Sequence, residues 1–466
     1  MPPSVLSRRS VLAGGTLLAS AVAGNVLVSM VARAKAPATT VLEPRVTDFG
    51  FIDGQPTRNV LSYTAQAPAP ILRVKQGQPL HVQLRNSLTE PTTIHWHGIR
   101  LPNRMDGVPF LTQPNVNANA TFDYVFAPPD AGSYWYHPHC NSLVQLSHGL
   151  TGLLIVEEAK DPGFDADLAF NLRDWRLGPD GQFIPLYVPR QTARAGTYGT
   201  VRTANWRQEP GYDAPTGGLA RLRLVVTDVT RVYKLALEGA DAVIIALDGN
   251  PLPKPLPIPA DNLALGPGQR ADIVVRMPEQ EGGMVIIRDF SSPTPLTVAK
   301  VRATGASRKR ELGDVKPLPQ NPMADPDLKA ATTIQLEFTA TAEQLEKNKF
   351  CGDLGYSFWA INSAPWPGAS PDPLAPIAEL KLGRSYILEM HNRTPHPHPI
   401  HLHGMSFKLL RSDKRELPSI WTDTALIYPD ERIDVALVAD NPGDWLLHCH
   451  VIEHQETGMT GYIRVT

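Results

Sequence analysis

The feature that most constrains the fold of this chain is an internal repeat. RNSLTEPTTIHWHG, Arg85–Gly98, aligns with HNRTPHPHPIHLHG, His391–Gly404. In each segment an asparagine precedes the histidine of the closing His-x-His-Gly motif by nine residues: Asn86 precedes His95, and Asn392 precedes His401. Downstream, PPDAGSYWYHPH matches DNPGDWLLHCH, and GLTGLLIVEE matches GMTGYIRVT. A repeat of this kind predicts that the first and last thirds of the chain fold as the same unit.

Short runs of alternating apolar and polar residues indicate what the repeated unit is. PLHVQL, TFDYVF, RLRLVV and DVALVA are each separated from the next by turns rich in Pro, Gly, Asn and Asp. This pattern predicts antiparallel β-sandwiches or barrels and little helix. One of the few short helices that we expect is AEQLEKNK, directly after Thr341.

Composition divides the chain into five parts. Residues 37–160 and 331–466 carry the repeat and its histidines. Residues 161–305 have the same strand rhythm but no histidine, so we expect a related sandwich that binds no metal and acts as a spacer. Residues 306–330 are rich in proline and charge, which predicts a linker along the surface.

Residues 1–36 have the pattern of a targeting segment. The pair Arg8 and Arg9 precedes an apolar stretch diluted by Gly, Ala and Ser, and small residues follow it. This pattern predicts a twin-arginine signal peptide and export of the folded protein to the periplasm. The alternative is an uncleaved membrane anchor, since the stretch is long enough to span a bilayer.

The overall charge limits the partners of the chain. The formal net charge is −2 and no basic patch stands out, so we expect no nucleic-acid partner. We also expect no membrane association after signal cleavage. The sequence does not establish the oligomeric state, and we expect a monomer.

The end of the chain, HCHVIEHQETGM, carries the most specific chemistry. A thiolate at Cys449, an imidazole at His454 and a thioether at Met459 are the parts of a blue-copper site. Side chains alternate along a strand, so Cys449 should face one way while His448 and His450 face the other. The two flanking histidines therefore predict a second metal centre beside the first.

Three more His-x-His pairs support a second centre. Of the fourteen histidines, ten fall in four clusters: His95 and His97; His137 and His139; His398, His401 and His403; and His448, His450 and His454. Imidazole binds copper, zinc, iron and nickel alike, whereas the Cys–His–Met set selects copper. We expect His81, His148, His391 and His396 to be structural or surface residues.

With HWHG, HPH, HPIHLHG and HCHVIEHQETGM all present and in order, the chain resembles a three-domain multicopper oxidase of the bacterial laccase type. The resemblance covers essentially the whole mature chain. It implies an all-β fold of three cupredoxin-like Greek-key β-sandwiches. It also implies four copper ions, one of type 1, one of type 2 and a type 3 pair, with the last three between the first and third domains.

Matching the motifs residue by residue gives a ligand set. The resemblance implies that the type 1 copper takes Cys449, His398 and His454, with Met459 as a weak axial ligand. The type 2 copper takes His95 and His401, and the type 3 pair takes His97, His137, His139, His403, His448 and His450. His396 is a possible substitute for His398, but its spacing from His401 is five residues rather than the three of the motif.

The resemblance also implies the reaction. A donor gives up single electrons near the type 1 site, Cys449 passes them to its neighbours His448 and His450, and dioxygen is reduced to water. We favour phenolic or aromatic donors, because the nine methionines are scattered and form no methionine-rich segment. A periplasmic oxidase of Cu(I) or Fe(II) in metal homeostasis is the alternative. A non-catalytic exported cupredoxin scaffold is a third hypothesis, although such relatives generally lose ligands.

Reduction of dioxygen also consumes protons, and two residues bear on their supply. Asp106, in RMDGVP after HWHG, occupies the place of an acidic residue near the cluster in the family, and we predict that it is catalytic. The alternative is a turn-forming Asp-Gly pair. Gln455 follows the ligand His454 where many bacterial relatives have glutamate, and an amide cannot relay protons near neutral pH.

The two remaining cysteines, Cys140 and Cys351, would lie in a compartment that permits disulfides. We predict that they pair, with two buried free thiols as the alternative.

Overall fold

A computed structural model describes residues 38–340, 354–371 and 373–466. The predicted signal peptide, the predicted helix AEQLEKNK and Cys351 all lie outside these residues. Strands account for almost all of the regular structure, which confirms the predicted all-β fold class. In the part of the chain that is described, no helix has the length and apolarity needed to cross a bilayer.

The first third holds nine strands, which form a four-stranded sheet, a three-stranded sheet and a separate hairpin of β2 and β3. The strands are β1 Thr39–Leu42, β2 Arg45–Ile52, β3 Gln55–Ser62, β4 Leu72–Lys75, β5 Leu80–Arg85, β6 His95–His97, β7 Thr121–Phe126, β8 Gly132–His137 and β9 Gly152–Glu157.

The middle third holds eleven strands in one six-stranded and one five-stranded sheet. They are β10 Ala166–Trp175, β11 Val201–Ala204, β12 Gly211–Pro215, β13 Leu219–Val226, β14 Tyr233–Glu238, β15 Ala242–Leu247, β16 Asn250–Pro257, β17 Leu263–Leu265, β18 Arg270–Arg276, β19 Met284–Asp289 and β20 Leu296–Thr304.

The described residues of the last third form eleven strands, again in a six-stranded and a five-stranded sheet. They are β21 Thr332–Ala340, β22 Trp359–Ile361, β23 Ala378–Leu380, β24 Ser385–Asn392, β25 His398–Leu402, β26 Phe407–Ser412, β27 Trp421–Thr422, β28 Thr424–Ile427, β29 Arg432–Val438, β30 Gly443–Cys449 and β31 Thr460–Val465.

The helices within the described ranges are all short. The α-helices there are α1 Ser142–Ser147, α2 Pro189–Thr192 and α3 Ile452–Glu456, and the 3₁₀ turns are Asn103–Met105 and Leu312–Asp314.

The middle and last thirds have the same strand order. The sheet β11-β10-β13-β18-β15-β16 has the same order as β22-β21-β24-β29-β26-β27, and β12-β20-β19-β14-β17 has the same order as β23-β31-β30-β25-β28. The first third repeats the central part of this plan in β1-β5-β7 and β4-β9-β8-β6. In each third, the first strand of the sandwich pairs in parallel with a later strand of the same sheet: β1 with β5, β10 with β13 and β21 with β24. The middle third is therefore a related sandwich, as its strand rhythm predicts.

The two asparagines of the sequence repeat play the same structural part. The Asn86 side chain accepts from the N–H of Leu88 at 3.0 Å and donates to the Glu90 carbonyl at 2.8 Å. Asn392 repeats both bonds, accepting from the N–H of Thr394 at 2.9 Å and donating to the His396 carbonyl at 2.7 Å. In each case the side chain closes the turn that leads into a histidine strand.

Each third buries its own apolar core, and a further cluster joins them. That cluster combines Trp135 of the first third, Val225 of the middle third and Ile452 of α3. The segment of residues 306–330 runs over the middle third, where Val315 and Leu318 pack on the six-stranded sheet. The histidine strands are thus held between well-packed sandwiches.

Candidate metal centres

Cys449, His398 and His454 form the first of two buried groups of ligand-type side chains. Cys449 ends β30 and lies opposite Ile400 of the neighbouring strand β25, which begins with His398. His454 comes from α3, five residues after the cysteine. The Cys449 sulfur lies 3.4 Å from His398 Nδ1 and 3.5 Å from His454 Nδ1, and the two nitrogens are 3.1 Å apart.

Met459, the fourth predicted member, belongs to the same buried environment. It is fully buried and lies in one apolar cluster with Cys449 and Trp359. Its main-chain carbonyl accepts from the Cys449 N–H at 3.0 Å, and its own N–H donates to the His454 carbonyl at 2.9 Å. The loop from α3 to β31 therefore returns the methionine to the cysteine.

The remote nitrogens of the two histidines in this group already have partners. His398 Nε2 lies 2.7 Å from Thr394 Oγ1, and His454 Nε2 lies 2.7 Å from the carbonyl oxygen of Arg194 in the middle third. These contacts orient both imidazoles so that Nδ1 faces the cysteine. The indole of Trp359 packs against both rings, with centroid distances of 5.1 and 4.5 Å.

Burial sets the ionisation of the first group. It raises the pKa of the Cys449 thiol well above its usual range and lowers the pKa of His454 to about 3. Burial also holds the pKa of His398 well below its usual value, with a smaller effect from His454. In the absence of a cation the group therefore contains a protonated thiol and neutral imidazoles. A metal ion binds there by displacing the thiol proton.

The second group consists of eight buried histidines from both ends of the chain. They come from β6, β8, β25 and β30 and from the residues that directly follow these strands: His95, His97, His137, His139, His401, His403, His448 and His450. His95 lies opposite His137 in the first third, and His401 lies opposite His448 in the last third, so the sequence repeat is also a repeat of register.

Two stacked pairs of rings join the two halves of this group. His95 stacks on His403 with a centroid distance of 3.7 Å, and His97 stacks on His401 at 3.8 Å. Each pair combines one histidine of the first third with one of the last third. The eight-histidine group is therefore complete only where the two sandwiches meet.

Several imidazole nitrogens in this group are buried without a hydrogen-bond partner. They are His95 Nε2, His97 Nδ1, His137 Nε2, His139 Nε2, His401 Nε2 and both nitrogens of His450. His403 Nε2 and His448 Nε2 face each other at 3.1 Å. A buried nitrogen without a partner is costly unless a ligand satisfies it. Three triads in this group have ligand atoms within 4.8 Å of one another: His95, His97 and His401; His95, His139 and His403; and His97, His137 and His450.

In several of these histidines, the opposite ring nitrogen contacts an oxygen atom of the protein. His95 Nδ1 donates to the Asp106 carbonyl and His401 Nδ1 to the Asp423 carbonyl, both at 2.9 Å. His403 Nδ1 lies 2.9 Å from the Asp106 carboxylate, and His97 Nε2 lies 3.3 Å from that of Asp423. These contacts select the tautomer in which the free nitrogen faces the interior of the group.

Asp106 lies where the sequence predicts an acid near the cluster. It is fully buried, and its two carboxylate oxygens lie 3.2 Å from His95 Nδ1 and 2.9 Å from His403 Nδ1. Asp106 therefore contacts histidines from the first and last thirds at once. Asp106 also follows directly on the 3₁₀ turn Asn103–Met105, so the same residue ends a turn and contacts the histidines.

Asp423 and Arg270 are functional candidates that the sequence analysis missed. Arg270, in the middle third, binds both carboxylate oxygens of Asp423 at 2.7 Å, and both side chains are buried. Burial opposes ionisation of Asp423, but Arg270 and the hydrogen bond from His401 outweigh it and lower its pKa. The only signal in the sequence is a charged residue directly before the apolar run ADIVV.

The middle third also forms part of the wall of the eight-histidine group. A Cβ atom at Gly268 would lie 2.8 Å from His97 Cε1 and 3.0 Å from His450 Cδ2, and Gly268 has a φ of +87°. The backbone of the turn between β17 and β18 thus lies directly against two histidines. The prediction that this third is a spacer is wrong in this respect, because Gly268 and Arg270 both contribute to the site.

The four remaining histidines lie outside both groups. His81 is paired with Asp123, His148 bonds the Val144 carbonyl, and His391 lies 4.0 Å from Glu337. His396 is half-buried, and its ring centroid lies 6.3 Å from that of Trp359. None of these four belongs to a ligand group among the described residues.

A small cavity of about 60 Å³ reaches the eight-histidine group from the side of the last third. His139 lies on its wall together with Val108, Leu446, Gln455, Glu456 and Thr460. The Gln455 Oε1 atom is buried without a hydrogen-bond partner. The cavity has room for water molecules.

Cys140, directly after His139, is disulfide-bonded, while Cys449 is a free buried thiol. The predicted partner of Cys140, Cys351, lies outside the described residues.

Comparison with known proteins identifies relatives of this chain. Two family models, both described as multicopper oxidase, match residues 50–161 and 329–466. A crystal structure of a multi-copper oxidase from Pseudomonas thermotolerans is 42% identical, with a TM-score of 0.83 over 92% of this chain and 99% of that one. A multicopper oxidase of Mycobacterium tuberculosis is 28% identical over 87% of this chain and 83% of its own length. Laccase-2 of Fomitopsis schrenkii is 26% identical over 84% and 83% of the two chains.

The donor chemistry fits the metal of this family. Neutral imidazoles and one thiolate are ligands that suit copper, and the unpartnered nitrogens need a cation to satisfy them. The three sandwiches are cupredoxin-like, as in the solved relatives. The family binds four copper ions and couples oxidation of a donor to reduction of dioxygen. On these grounds the chain belongs to the multicopper oxidases.

Proposed function

We propose that the two ligand groups act in series, the first as the entry point for electrons and the second as the site of oxygen reduction. One observation carries the proposal: Cys449 lies in the first group, while its covalent neighbours His448 and His450 lie in the second. When bound, copper supplies the one-electron oxidation of the donor and the four-electron reduction of dioxygen.

The proposed ligands follow from these groups. Cys449, His398 and His454 would hold the type 1 copper, and Met459 would supply a fourth, weak ligand. His95 and His401 hold the type 2 copper, which their unpartnered Nε2 atoms support. The six remaining histidines hold the type 3 pair in two sets of three: His97, His137 and His450; and His139, His403 and His448.

Phenolic or aromatic molecules are the proposed donors. The loop that carries Arg194 lies against His454, and the exposed side chain of Arg194 does not suit a cationic metal donor. No methionine-rich segment occurs in the sequence. The laccase of Fomitopsis schrenkii gives further support from a curated relative.

Oxidation of Cu(I) or Fe(II) is the competing function. A direct comparison decides between them: oxygen uptake by the copper-loaded protein with 2,6-dimethoxyphenol, Cu(I) and Fe(II) under identical conditions. We expect the highest kcat/KM with the phenol. A kcat/KM for Cu(I) or Fe(II) that is orders of magnitude higher would reject the phenol as the donor class.

Asp106 and the cavity at His139 are the proposed means of proton supply. Asp106 holds His95 and His403 and lies at the contact between the first and last thirds. Glu456 lines the cavity beside Gln455 and provides an acid where Gln455 cannot. Replacement of Asp106 by Asn keeps the size of the side chain but removes the charge, so we expect slow turnover and an altered pH profile.

Copper loading tests the proposal as a whole. The loaded protein should contain four copper ions and show the intense blue absorption of a copper–thiolate centre. Cys449→Ser should abolish the blue band and oxidase activity while the protein remains folded. A folded, copper-loaded protein without the blue band would favour the non-catalytic scaffold.

Export to the periplasm as a monomer is also proposed. The pair Arg8 and Arg9 motivates the first part. Replacement of both by lysine should retain the full-length chain in the cytoplasm, as judged by cell fractionation. Sedimentation of the mature chain should give the mass of one copy.

A further inference from the structure

The electron-entry group is closed to direct contact with a donor molecule. Cys449, His398 and His454 are each 0% exposed. The imidazole nitrogens that face away from the cysteine are already bonded: His398 Nε2 to Thr394 Oγ1 and His454 Nε2 to the Arg194 carbonyl, both at 2.7 Å. A donor therefore has no free imidazole nitrogen with which to form a hydrogen bond, and it must bind to the residues that cover the group.

Arg194 is the covering residue that connects this group with the surface. It follows α2 in the middle third, and its carbonyl accepts from His454 while its side chain is exposed. The half-buried His396 lies close to this loop, because the indole of Trp359 lies beside its ring and donates to the Thr192 carbonyl at 2.9 Å. His396 in turn lies over Trp359, which packs on both imidazoles of the group.

The surface formed by Arg190, Arg194 and His396, here the Arg194 surface, carries positive charge. Both arginines are exposed, and among the described residues no carboxylate forms an ion pair with either. The carboxylate beneath the loop, Glu453, is fully buried and accepts from the N–H of Thr197 at 2.6 Å. It is turned inward and holds the loop, so it does not offer its charge to the surface.

We propose that the Arg194 surface is the donor-binding site and that it selects anionic aromatic donors, such as phenols that carry a carboxylate or a sulfonate. This inference rests on the proposed function and specifies its substrate class. The guanidinium of Arg194 binds the anionic group, and the donor ring lies over the peptide whose carbonyl is bonded to His454. Metal cations are repelled from the same surface.

The redox balance of the step is simple. Each phenol gives up one electron to the enzyme and the proton of its O–H bond to solvent, and a phenoxyl radical leaves. Dioxygen, which the established activity supplies, is the terminal oxidant. The Arg194 side chain itself undergoes no chemical change, so it is a binding residue for the donor.

Two donors that share one ring test the proposal. Syringate carries a carboxylate, and methyl syringate is its neutral ester. With the copper-loaded full chain, the ratio of kcat/KM for syringate to that for methyl syringate should fall about fivefold in Arg194→Gln, mainly through KM, because one partly exposed charge pair is lost. The ratio should fall further in Arg194→Glu, and added salt should reduce the difference between the variants.

A matched variant controls for net charge. Arg308, in the segment after the middle third, is exposed, and Arg308→Gln should leave the ratio unchanged. The blue absorption of Arg194→Gln should equal that of the parent, because the backbone carbonyl bonded to His454 is retained. Calorimetric binding of syringate to the copper-free protein should weaken by the same factor of about five in Arg194→Gln.

An unchanged ratio in both Arg194 variants, with the blue band intact, would overturn the Arg194 surface as the donor site and leave the oxidase function in place. If the copper-loaded parent oxidises neither donor, the proposed function fails, and this inference fails with it. The two failures are therefore distinguishable in one set of measurements.

Discussion

At the scale of single residues, the pair of Arg270 and Asp423 connects the histidine-free third with the ligands. Its two bonds of 2.7 Å are buried, and Asp423 also contacts His97 and His401. Asp423→Asn removes the nearer of the two carboxylates at the buried guanidinium of Arg270, and only Asp248, at 3.5 Å, remains. We expect a loss of about 3–5 kcal/mol in the free energy of unfolding and copper binding about 10- to 100-fold weaker. Urea denaturation of the copper-free protein and copper analysis after dialysis measure these effects.

A partly exposed ion pair provides the control for this prediction. Asp444 binds Arg464 at 2.7 Å, with side-chain exposures of 22% and 38%. Asp444→Asn removes the same charge and should cost at most about 1 kcal/mol. If the two variants unfold at the same urea concentration, the Asp423 pair does not support the site in the way described.

Gln455 is a second residue at which the chain can be tested. Its side-chain oxygen is buried without a partner on the wall of the cavity that reaches His139. Gln455→Glu places a titratable carboxyl there, and we expect a higher turnover at high pH, where protons are scarce. Steady-state oxygen uptake from pH 5 to 9 provides the profile. Unchanged or lower turnover at high pH would indicate that the chain already has a sufficient proton route.

The individual ligands could be predicted from the sequence, while the residues that orient them could not. Cys449 and its flanking histidines lie close together in sequence, and strand alternation places them in different groups. Asp423 and Arg270 are separated by more than one hundred residues, and neither has a ligand-type motif around it. Their burial depends on how three sandwiches pack, which local pattern does not reveal.

At the scale of secondary-structure elements, the turn between β17 and β18 needs a residue that has a left-handed backbone conformation and no side chain. Gly268 has a φ of +87°, and a Cβ there would lie 2.8 Å from His97. Gly383 has a φ of +75° with nothing within 4 Å of a Cβ, so it shares the backbone requirement without the contact. We expect Gly383→Ala to cost about 1–2 kcal/mol without changing the copper content. Gly268→Ala should cost more and should lower the occupancy of the eight-histidine group.

Copper analysis and thermal unfolding of the two glycine variants give the result. Equal copper content in both would show that the backbone of this turn can move away from His97 and His450 at little cost. Loss of copper in Gly268→Ala alone would assign the effect to the contact with the histidines.

The strand plan was predictable because the repeat carries it. The histidine strands β6 and β25 pair with β8 and β30 in the same register, as the alignment of HWHG with HLHG indicates. In the middle third the equivalent strands are β14 and β19, which have apolar and charged residues in place of histidine. Rhythm alone predicts this sandwich, but its contacts with the site come from the backbone of Gly268, in the turn before β18, and from Arg270, the first residue of β18.

At the scale of the whole molecule, the site is a property of the contact among three sandwiches. Two of them contribute ligands, and the third contributes Arg270, Gly268 and the Arg194 carbonyl. Strand rhythm and the repeat predict the number and type of sandwiches. They do not predict which loops of the histidine-free sandwich face the ligands, because these loops carry no repeated motif.

This packing also predicts how the copper-free protein responds to acid. Nine histidines of the two ligand groups have a pKa below the usual 6.5, mainly through burial: His97, His137, His139, His398, His401, His403, His448, His450 and His454. For His454 the value is about 3. Unfolding restores the ordinary pKa, so between the two values the unfolded chain binds more protons than the folded chain.

Stability of the copper-free protein should therefore be fully present above pH 6.5 and should fall as the pH decreases below it. Each such histidine contributes up to about 1.4 kcal/mol per pH unit, and several titrating together make the fall steep. Urea unfolding midpoints measured from pH 7.5 to 5 should decrease sharply, whereas the copper-loaded protein should resist acid further because its ligand nitrogens are occupied. A copper-free midpoint at pH 5 equal to that at pH 7.5 would mean that these imidazoles are already accessible to protons in the folded chain.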